Sequence, residues 1–529
     1  MERFDAVVIG SGFGGSVMAC RLAEQGRRVL VLERGKRWRT DEYPSVSNRH
    51  WFWRESNPDK HHGWIDLRLF GDMSVAAGCG VGGGSLIYAN VSIDARPEVF
   101  AQDWPSEITH DSLRPYYQRV ESMLKPAHIP ERQWTRRTRL MKEAAERLGE
   151  GHRFRTVPQA ITFDPDYEPV GADPTAKSRS KTWINAFGME QGTCIHCGNC
   201  DIGCEVKAKN TLDLNYIPQA EKHGAEVRPL HHVRNIAPLA DGSGYRVSYR
   251  NLSTGRDGVV EARNVVVSAG SIGSTELLLK CRDRDRTLTN LSPLLGKRWS
   301  ANGDFVTPAY YRGREVSPTQ GPTISSCIDF LDGSFGNRPV FIEDGGFPDL
   351  LGNLLEKMGR SWFGRWQLQR MGLVPGGLMQ AIRNRDPLEH IMPWFGQSRD
   401  ESNGELYLGR PWYAPWRRDV LKMRWDYRPN EAVMQAINGL HVRLSEATGG
   451  VPMTPPTWSL LRNLITPHPL GGCAMGTSAA AGVVNHAGAV FGHDGLYVAD
   501  GAMVPTSLGT NPSKTIAALA ERASEHVRS

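Results

Sequence analysis

The sequence predicts an α/β protein built around a doubly wound, Rossmann-like nucleotide-binding domain. Three stretches carry this prediction. Residues 6–35 read as a strand, a glycine turn, a helix and a second strand. Residues 265–279 read as a strand, a small-residue turn and a helix, and residues 495–527 as a strand, a polar loop and an amphipathic helix. Strands that alternate with glycine turns and helices are typical of parallel α/β sheets.

Composition and charge set limits on the class of protein. The chain has 529 residues, a length that favours two or more lobes, and a net charge of +6, which is small for this size and does not indicate a nucleic-acid partner. No uninterrupted apolar run approaches the roughly 20 residues of a membrane span. Only Glu2 and Arg3 precede the buried-strand pattern FDAVVIG after the initial methionine, so we expect no leader peptide and a cytoplasmic location.

The N-terminal stretch AVVIGSGFGGSVMACRLAEQGRRVLVLERG predicts a dinucleotide site. Gly10 and Gly12 allow a sharp turn and the approach of a pyrophosphate, and Gly15 allows the helix to pack closely on the strand. The phosphates would lie at the helix N-terminus, where free N–H groups favour an anion. Glu33, at the end of the second strand, is placed to accept hydrogen bonds from ribose hydroxyls. This fingerprint alone does not separate FAD from NAD.

Further blocks make the prediction more specific. They are GVGGGSLIYANV at 80–91, VVVSAGSIGSTELLL at 265–279, HPLGGCAMG at 468–476, and the stretch 495–527, which contains VADGAMVPTSLGTNP. In this order, with the N-terminal fingerprint, they resemble the glucose–methanol–choline (GMC) family of FAD oxidoreductases. The sequences of these motifs are most similar to the cholesterol oxidase-like branch of the family. The resemblance implies a doubly wound FAD-binding domain interrupted by a discontinuous substrate domain of sheet and helices.

The resemblance also implies which residues hold FAD and which act on the substrate. His468 matches the family's active-site histidine, and Asn511 matches the asparagine that partners it in cholesterol oxidases. The residues expected at the FAD are Gly10, Gly12, Phe13, Gly14, Gly15, Glu33, Gly83, Gly84, Asn90, Val233, Ala269, Gly270, Asp500, Gly501, Asn511 and Pro512.

The chemistry of alcohol oxidation also indicates catalytic roles for His468 and Asn511, independently of the family resemblance. Alcohol oxidation removes a hydroxyl proton and transfers a hydride from carbon to flavin N5. An imidazole titrates near neutral pH and can accept or orient that proton, and an amide can hold the substrate oxygen. The alternative for His468 is a hydrogen-bonded core histidine in a Pro-Gly turn.

Glu343 is a further candidate for catalysis. Steroid-oxidising relatives use a glutamate of the substrate domain as a base, and PVFIEDGGFP places Glu343 where an apolar strand meets a turn. Only this local pattern matches. The same letters also describe an ordinary turn at the end of a strand, and that alternative stays open.

The FAD-like blocks divide the chain. We expect residues 1–110, 205–310 and 460–529 to form the FAD-binding domain, and residues 111–204 and 311–459 to form the substrate domain with its lid. Within the second group, the segment 350–382 mixes tryptophan and other apolar residues with lysine and arginine. Such a segment suits a lid over an apolar pocket or a peripheral contact with a membrane, and ordinary packing with a solvated charged face is the alternative.

Four of the nine cysteines lie in CIHCGNCDIGC. Cys194, Cys197, Cys200 and Cys204 have the C-x2-C-x2-C-x3-C spacing of bacterial ferredoxins, although Glu205 replaces the usual proline. Zinc modules usually separate two cysteine pairs more widely. Certain FAD-dependent sugar dehydrogenases of the GMC family bind an iron–sulfur cluster in this region. The pattern therefore predicts a 4Fe-4S or 3Fe-4S cluster, with reduced thiols that pack a tight loop as the alternative.

Together these features predict an FAD-dependent oxidoreductase for a bulky apolar alcohol, such as a 3-hydroxysteroid or a terpenoid. Electrons would leave through the cluster to a quinone, a cytochrome or another acceptor. The alternatives are an oxidase of sugars or other alcohols that uses oxygen and has structural cysteines, and an iron–sulfur flavoprotein that acts mainly in electron transfer. An NAD-linked dehydrogenase is disfavoured by the HPLGGC and GTNP blocks.

Overall fold

The structure is a computed structural model. It describes residues 1–45, 51–71, 73–171, 173–350, 387–410, 419–453 and 464–528. The predicted lid or membrane-contact segment, apart from its first residue, lies outside the described residues, so that prediction is untested. Among the described residues, no helix combines the length and the apolar character needed to cross a membrane.

The helices and strands are numbered along the chain. The α-helices are α1 (Phe13–Glu24), α2 (His110–Leu124), α3 (Arg136–Arg147), α4 (Tyr216–Lys222), α5 (Gly270–Leu279), α6 (Glu431–Ala447) and α7 (Ser513–Ser524). The strands of the first half are β1 (Arg3–Ile9), β2 (Val29–Leu32), β3 (Ile65–Leu69), β4 (Met73–Gly78), β5 (Phe154–Thr156), β6 (Thr182–Ile184), β7 (Glu190–Gly192), β8 (Glu226–Arg228), β9 (His231–Pro238) and β10 (Tyr245–Asn251). The remaining strands are β11 (Arg256–Val267), β12 (Phe305–Tyr310), β13 (Ser326–Phe335), β14 (Arg338–Asp344), β15 (Ile391–Ser398), β16 (Glu405–Gly409), β17 (Val420–Arg424), β18 (Val451–Pro452), β19 (Leu464–Thr466) and β20 (Leu496–Val498).

The first sheet carries the nucleotide-binding signature. Strands β8, β2, β1, β11 and β20 run parallel in this order, and β10 and β9 continue antiparallel from the first part of β11. All four residues of β2 are buried, as expected for a parallel strand covered on both faces. From β1 the chain moves outward to β2 and β8 on one side, and β11 and β20 lie on the other. The predicted doubly wound, Rossmann-like domain is confirmed.

The glycine turns follow β1 and β11, the two strands between which this order reverses. Ligands of open α/β sheets bind at such a switch point, outside the carboxyl ends of the strands. Helix α1 starts directly after the first turn, and α5 starts directly after the second. Both helices therefore direct their N-termini toward the same region.

The second sheet is antiparallel, with the order β18, β12, β15, β14, β13 and β5. Helices α3 and α6 pack against it. Glu343 is the penultimate residue of β14 and lies opposite Phe395 of β15. A small sheet of β19, β4 and β3 leads the chain toward His468, two residues after β19 ends.

The division of the chain into an FAD-binding domain and a substrate domain stays a prediction. Helix α2, which is predicted to belong to the substrate domain, packs against α7, which is predicted to belong to the FAD-binding domain. Tyr117 Oη lies 3.0 Å from Thr515 Oγ1, and Lys514 Nζ donates to Glu121 Oε1 at 2.5 Å. This contact joins residues that the prediction places on opposite sides of the boundary.

Candidate active site

One cavity of about 1030 Å³ extends from the carboxyl ends of the first sheet to the second sheet. Its volume is just above the roughly 300–1,000 Å³ of typical small-molecule sites. All predicted FAD residues except Gly15 line it, and so does His468. The predicted FAD residues that line the cavity are Gly10, Gly12, Phe13, Gly14, Glu33, Gly83, Gly84, Asn90, Val233, Ala269, Gly270, Asp500, Gly501, Asn511 and Pro512.

Gly12 keeps the phosphate-binding turn open. A Cβ atom added there would meet only Gly83 Cα at 3.9 Å and Gly84 N at 4.0 Å. Gly12 is also the N-cap of α1, and no side chain caps that helix end. Free N–H groups at a helix N-terminus, facing two glycine segments, form a cradle suited to a pyrophosphate.

Two neighbouring glycines serve close packing. A Cβ at Gly14 would lie 1.6 Å from Ala499 O, and one at Gly15 would lie 2.1 Å from Gly10 O. Such distances leave no room for any side chain. Gly15 therefore brings the helix against β1, as the sequence predicted, and does not line the cavity.

Glu33 is buried at the end of β2. Its carboxylate accepts hydrogen bonds from Ser11 N at 3.0 Å, Ser11 Oγ at 2.7 Å and Gly35 N at 2.8 Å. These bonds hold the carboxylate beside the glycine turn. A carboxylate offers about four acceptor sites, so a ribose hydroxyl can still bind.

Asp500, in the C-terminal stretch 495–527, connects this part of the cavity wall to the stretch 265–279. It accepts hydrogen bonds from Gly270 N at 2.8 Å, Ser274 Oγ at 2.5 Å and Ala502 N at 2.8 Å. Burial raises the pKa of Asp500 to about 6, although these hydrogen bonds oppose the shift. Asp500 therefore fixes the turn at the start of α5.

Asn90 provides a test of whether this wall fits a flavin. Both polar atoms of its amide are buried and have no hydrogen-bond partner among the described residues, and its backbone has a φ of 68°. Buried amides without partners are rare in proteins and indicate a missing partner. A cradle of glycines with an unpartnered buried amide at its edge fits an FAD molecule, whose ring and phosphates carry the required polar groups.

His468 is oriented by a carboxylate that the sequence did not reveal. Its Nδ1 lies 3.0 Å from Asp304 Oδ1 and 3.1 Å from Oδ2, and Asp304 is 1% exposed. Thr466 Oγ1 donates to Asp304 Oδ2 at 2.6 Å. A carboxylate next to Nδ1 assigns the proton to that nitrogen and leaves Nε2 as the basic atom. Within the described residues, every hydrogen bond of the His468 ring uses Nδ1, so Nε2 is available to a ligand in the cavity.

Asn511, Glu343 and Gln397 form a buried polar group beside His468. Asn511 Nδ2 donates to Glu343 Oε2 at 3.3 Å, and Gln397 Nε2 donates to the same oxygen at 3.2 Å. Gln397 Nε2 also lies 3.5 Å from His468 Nδ1. Glu343 Oε1, Gln397 Oε1 and Asn511 Oδ1 have no partner among the described residues. The structure thus brings the three predicted catalytic residues together, and of the three residues with an unpartnered oxygen only Asn511 lines the cavity.

Glu343 lies in an environment that disfavours its charge. Burial raises the pKa of Glu343 well above its usual range, and the nearby Asp344 and Asp304 act in the same direction. Arg155 and the hydrogen bond from Asn511 act against the shift. Burial is the largest of these effects, so the net shift of the Glu343 pKa is upward.

The four cysteines do not form the predicted cluster site. They line a separate cavity of about 20 Å³, which has room for about one water molecule and not for the eight heavy atoms of a 4Fe-4S core. Among the described residues, no three histidine, cysteine, aspartate or glutamate side chains converge so that they could hold a metal ion. All four are free thiols. The prediction of iron–sulfur ligands is therefore not supported.

Three of the thiols, those of Cys194, Cys197 and Cys204, lie in surroundings that disfavour the thiolate form. Burial raises the pKa of Cys197 to about 12 and also raises the pKa values of Cys194 and Cys204. Backbone N–H groups donate to two of the sulfurs, His196 N to Cys194 Sγ at 3.4 Å and Ala208 N to Cys204 Sγ at 3.2 Å. Ferredoxin-like spacing cannot reveal whether the sulfur atoms converge.

Sequence reasoning missed Asp304 and Gln397. Asp304 precedes β12 and Gln397 lies in β15, and neither lies in a glycine-rich or histidine-containing motif. The sequence separation between Asp304 and His468 is 164 residues. The pairing of β12 with β15 brings Asp304 close to Gln397, and the contact of β19 with β12 brings His468 close to Asp304.

Comparisons with known proteins agree with this geometry. Family models described as GMC oxidoreductase match residues 178–282 and 400–520, and a model of an NAD(P)-binding Rossmann-like domain matches residues 8–50. The chain is 31% identical to a cholesterol oxidase of Acinetobacter baumannii, with 99% of this chain and 94% of that protein covered. It is 32% identical to a cholesterol oxidase of Mycobacterium tuberculosis, with 98% and 90% covered.

A solved structure shows the same fold. The crystal structure of pyridoxine 4-oxidase from Mesorbium loti matches with a TM-score of 0.64 at 17% identity, covering 99% of this chain and 98% of that chain. At this identity, the likeness bears on the fold alone. The two near-full-length relatives and the matched domain models decide the family. The chain belongs to the GMC oxidoreductase family, in its cholesterol oxidase-like branch, and is an FAD-dependent oxidoreductase acting on CH–OH donors.

Proposed function

We propose that this enzyme oxidises a bulky apolar alcohol, of the steroid or terpenoid type, to the corresponding carbonyl compound. The observation that carries the proposal is the pairing of His468 with Asp304 at 3.0 Å in the cavity that also contains the flavin cradle. This pairing supports the assignment of His468 as a base with a defined tautomer, in the cavity where an alcohol would meet the cofactor.

FAD, when bound, supplies the acceptor for the hydride that leaves the carbinol carbon. The chain's own residues handle the proton and the oxygen. His468 Nε2 takes the hydroxyl proton, and the Asp304 carboxylate stabilises the imidazolium that forms. General acid–base help of this kind is typically worth about 10²–10⁴-fold in rate.

The polar group beside His468 holds the alcohol oxygen. Asn511 lines the cavity and can offer a second amide hydrogen besides the one given to Glu343. Glu343 itself does not line the cavity; it accepts from Asn511 and from Gln397 and so fixes both amides. We assign Asn511 to substrate binding and Glu343 to its positioning, with a role of Glu343 as base as the alternative.

The apolar character of the substrate follows from the part of the cavity nearest the second sheet. We call this part the outer chamber, and its wall includes Val306, Thr323, Ile324, Phe347, Pro393 and Phe395. Apolar walls of this kind favour bulky hydrocarbon and would leave most hydroxyls of a sugar without partners. The names of the two near-full-length relatives, both cholesterol oxidases, support a sterol-like substrate.

Dioxygen is the electron acceptor that we propose in place of the predicted iron–sulfur route. The cysteines do not offer a site for a cluster, so no electron transfer step is assigned to them. A quinone or a cytochrome that accepts electrons directly is the alternative. A peripheral membrane contact and a cytoplasmic location remain predictions from the sequence.

An anaerobic screen tests the substrate and the acceptor together. Purified enzyme is mixed with 3-hydroxysteroids, terpenoid alcohols, linear alcohols and sugars, and bleaching of the oxidised flavin is followed. We expect steroid-like alcohols to reduce the flavin fastest, and admission of oxygen to restore its colour with formation of hydrogen peroxide. Reduction by sugars alone would overturn the proposed substrate, and reoxidation only by a quinone or a cytochrome would overturn the proposed acceptor.

A further inference from the structure

The cysteine loop contributes one residue to the main cavity, Asp201. Of the carboxyl side chains that line the cavity, those of Glu33, Glu55, Glu276, Asp419 and Asp500 belong to its nucleotide half, and Asp201 alone faces the outer chamber. This statement covers the described residues. Burial of a carboxyl group in an otherwise apolar chamber costs free energy unless a hydrogen-bond partner compensates for it. A partner for Asp201 is therefore expected.

The loop holds Asp201 rigidly against the outer chamber. Gly198 has a φ of +75°, and a Cβ there would lie 1.9 Å from Thr319 O. Gly321 N donates to His196 O at 2.8 Å. Two backbone contacts therefore fix the loop to the segment that precedes β13. The same segment contributes Thr323 and Ile324 to the chamber wall.

Asp201 has spare hydrogen-bonding capacity. Thr323 Oγ1 donates to Asp201 Oδ1 at 3.3 Å, and no salt bridge to Asp201 occurs within the described ranges. Burial raises the pKa of Asp201 to about 6, while Lys209 and Arg137 act in the opposite direction. Thr323 Oγ1 is the one hydrogen-bond donor to the Asp201 side chain among the described residues, so acceptor positions of the carboxyl are left over.

The charge around Asp201 indicates what kind of donor would fit. Lys209 is fully buried; its Nζ donates to Cys200 O at 2.6 Å and to Leu86 O at 3.1 Å, and its charge lowers the pKa of Asp201. Because Lys209 already provides a positive charge near Asp201, the ligand of Asp201 does not need to be a cation. A neutral hydrogen-bond donor with an apolar frame, such as a hydroxyl group on a hydrocarbon, matches both the carboxyl and the chamber.

We propose that Asp201 binds a second hydroxyl group of the substrate, remote from the carbinol carbon that is oxidised, so that apolar diols are preferred over matched mono-alcohols. This inference rests on the proposed function, because it assumes that an alcohol occupies the outer chamber. It assigns the cysteine loop a role in positioning Asp201.

Matched pairs of alcohols test the inference. The probes are androstan-3β-ol against androstane-3β,17β-diol, and a series of linear primary alcohols against the α,ω-diols of equal length. Anaerobic stopped-flow reduction gives the limiting rate and the apparent Kd for each compound. A hydrogen bond to a charged group predicts an apparent Kd about tenfold or more lower for the best-matched diol, with a similar limiting rate.

Variants locate the effect. Asp201→Ala should reduce the diol preference to within about twofold, and Thr323→Val, which removes the hydroxyl that orients the carboxyl, should weaken it. Glu205→Gln is the matched control in the same loop, because Glu205 is 43% exposed on its side chain and pairs only with Lys177 among the described residues. The control should retain the full preference. Flavin content and the flavin midpoint potential of each variant are measured alongside.

The outcomes separate this inference from the proposed function. Equal Kd values for every matched pair in the wild-type enzyme would overturn the role of Asp201 while leaving alcohol oxidation intact. A shifted flavin potential in Asp201→Ala with an unchanged diol preference would also overturn it, since Asp201 would then act on the cofactor. Failure of all alcohols in both series to reduce the flavin would instead contradict the proposed function.

Discussion

Buried Asp304 and half-buried His468 form a pair in which Nδ1 of the ring lies 3.0 Å and 3.1 Å from the two carboxylate oxygens. The two ring nitrogens of His468 therefore have different roles. Nδ1 binds the Asp304 carboxylate, and Nε2 is available to the substrate. The catalytic proposal depends on this division, and it can be tested separately from cofactor binding.

Asp304→Asn should slow flavin reduction by an alcohol about 10–100-fold, the usual cost of losing a residue that orients a functional histidine. The amide cannot stabilise the imidazolium as a carboxylate does. The limiting rate should fall, while the apparent Kd of the alcohol and the FAD content stay close to those of the wild type. Asp304→Glu, which keeps the carboxylate, should recover part of the rate in the same stopped-flow assay. A loss of FAD with no change in the limiting rate of the remaining holoenzyme would indicate a structural role only.

Gly12→Val should empty the FAD site of an otherwise folded protein. The new side chain enters the space that a pyrophosphate would occupy, since its Cβ has only Gly83 and Gly84 nearby, at 3.9 Å or more. Flavin content per chain and thermal unfolding report the two effects separately.

Two further glycines serve as controls for this experiment. Gly14→Ala should unfold the protein, because its Cβ would lie 1.6 Å from Ala499 O. Gly439→Ala, within α6 and with nothing inside 4 Å of its Cβ, should retain FAD and stabilise the fold by about 1 kcal/mol. A Gly12→Val protein with full flavin would refute the position of the phosphates.

Glu343→Gln should change the pH dependence of stability. Burial raises the folded-state pKa of Glu343 above its usual 4.5, and Asp344 and Asp304 reinforce the shift. An acid with a raised folded-state pKa gives full stability below its unfolded pKa and loses it as the pH rises toward the folded pKa. The wild type should therefore lose stability relative to the variant as the pH rises above about 4.5.

The difference in Tm between the two proteins, measured from pH 4.5 upward, checks this sign. Glu146→Gln is a suitable control, because the Glu146 side chain is 57% exposed and its substitution should give no such trend. A Tm difference that is constant with pH, or that favours the wild type as the pH rises, would mean that Glu343 is ionised in the fold. In the activity assay, binding of alcohol without turnover by Glu343→Gln would favour the alternative role as base.

Anaerobically purified protein should contain FAD without stoichiometric iron. The space between the four cysteines is about 20 Å³, and the thiols have raised pKa values at Cys194, Cys197 and Cys204. Cys197→Ser should accordingly leave the rate of flavin reoxidation unchanged. Three or four irons per FAD with an equal number of sulfides would restore the cluster and the electron route that the sequence predicted.

The nucleotide-binding turn could be predicted from the sequence alone, because its determinants are local. The turn at Gly10 and Gly12, the close packing at Gly15 and Glu33, which follows β2, all belong to one strand–helix–strand unit. Backbone geometry at this scale depends on which positions lack a side chain. The other residues expected at the FAD came from the resemblance to the GMC family; they line the cavity, and their contact with FAD stays a prediction.

The sequence was not sufficient where function depends on convergence across the fold. The pairing of β12 with β15 brings Asp304 close to Gln397, and β19, which contacts β12, brings His468 to both; no motif marks Asp304 or Gln397. Cys194 and Cys204 give the opposite case, in which the spacing suggests ligands but the side chains do not surround a metal-sized point. Spacing along the chain describes the backbone, and ligation depends on where the side chains point.

The most direct test of the central claim is anaerobic stopped-flow reduction of the flavin by a 3-hydroxysteroid in the wild type and in His468→Ala. We expect the wild type to be bleached, deuterium at the carbinol carbon to slow the bleaching, and His468→Ala to be about 10²–10⁴-fold slower with FAD still bound. His152→Ala, whose side chain is 69% exposed, should match the wild type. Reduction of His468→Ala at a rate within about twofold of the wild type would contradict the account, since general base catalysis by His468 would then contribute almost nothing.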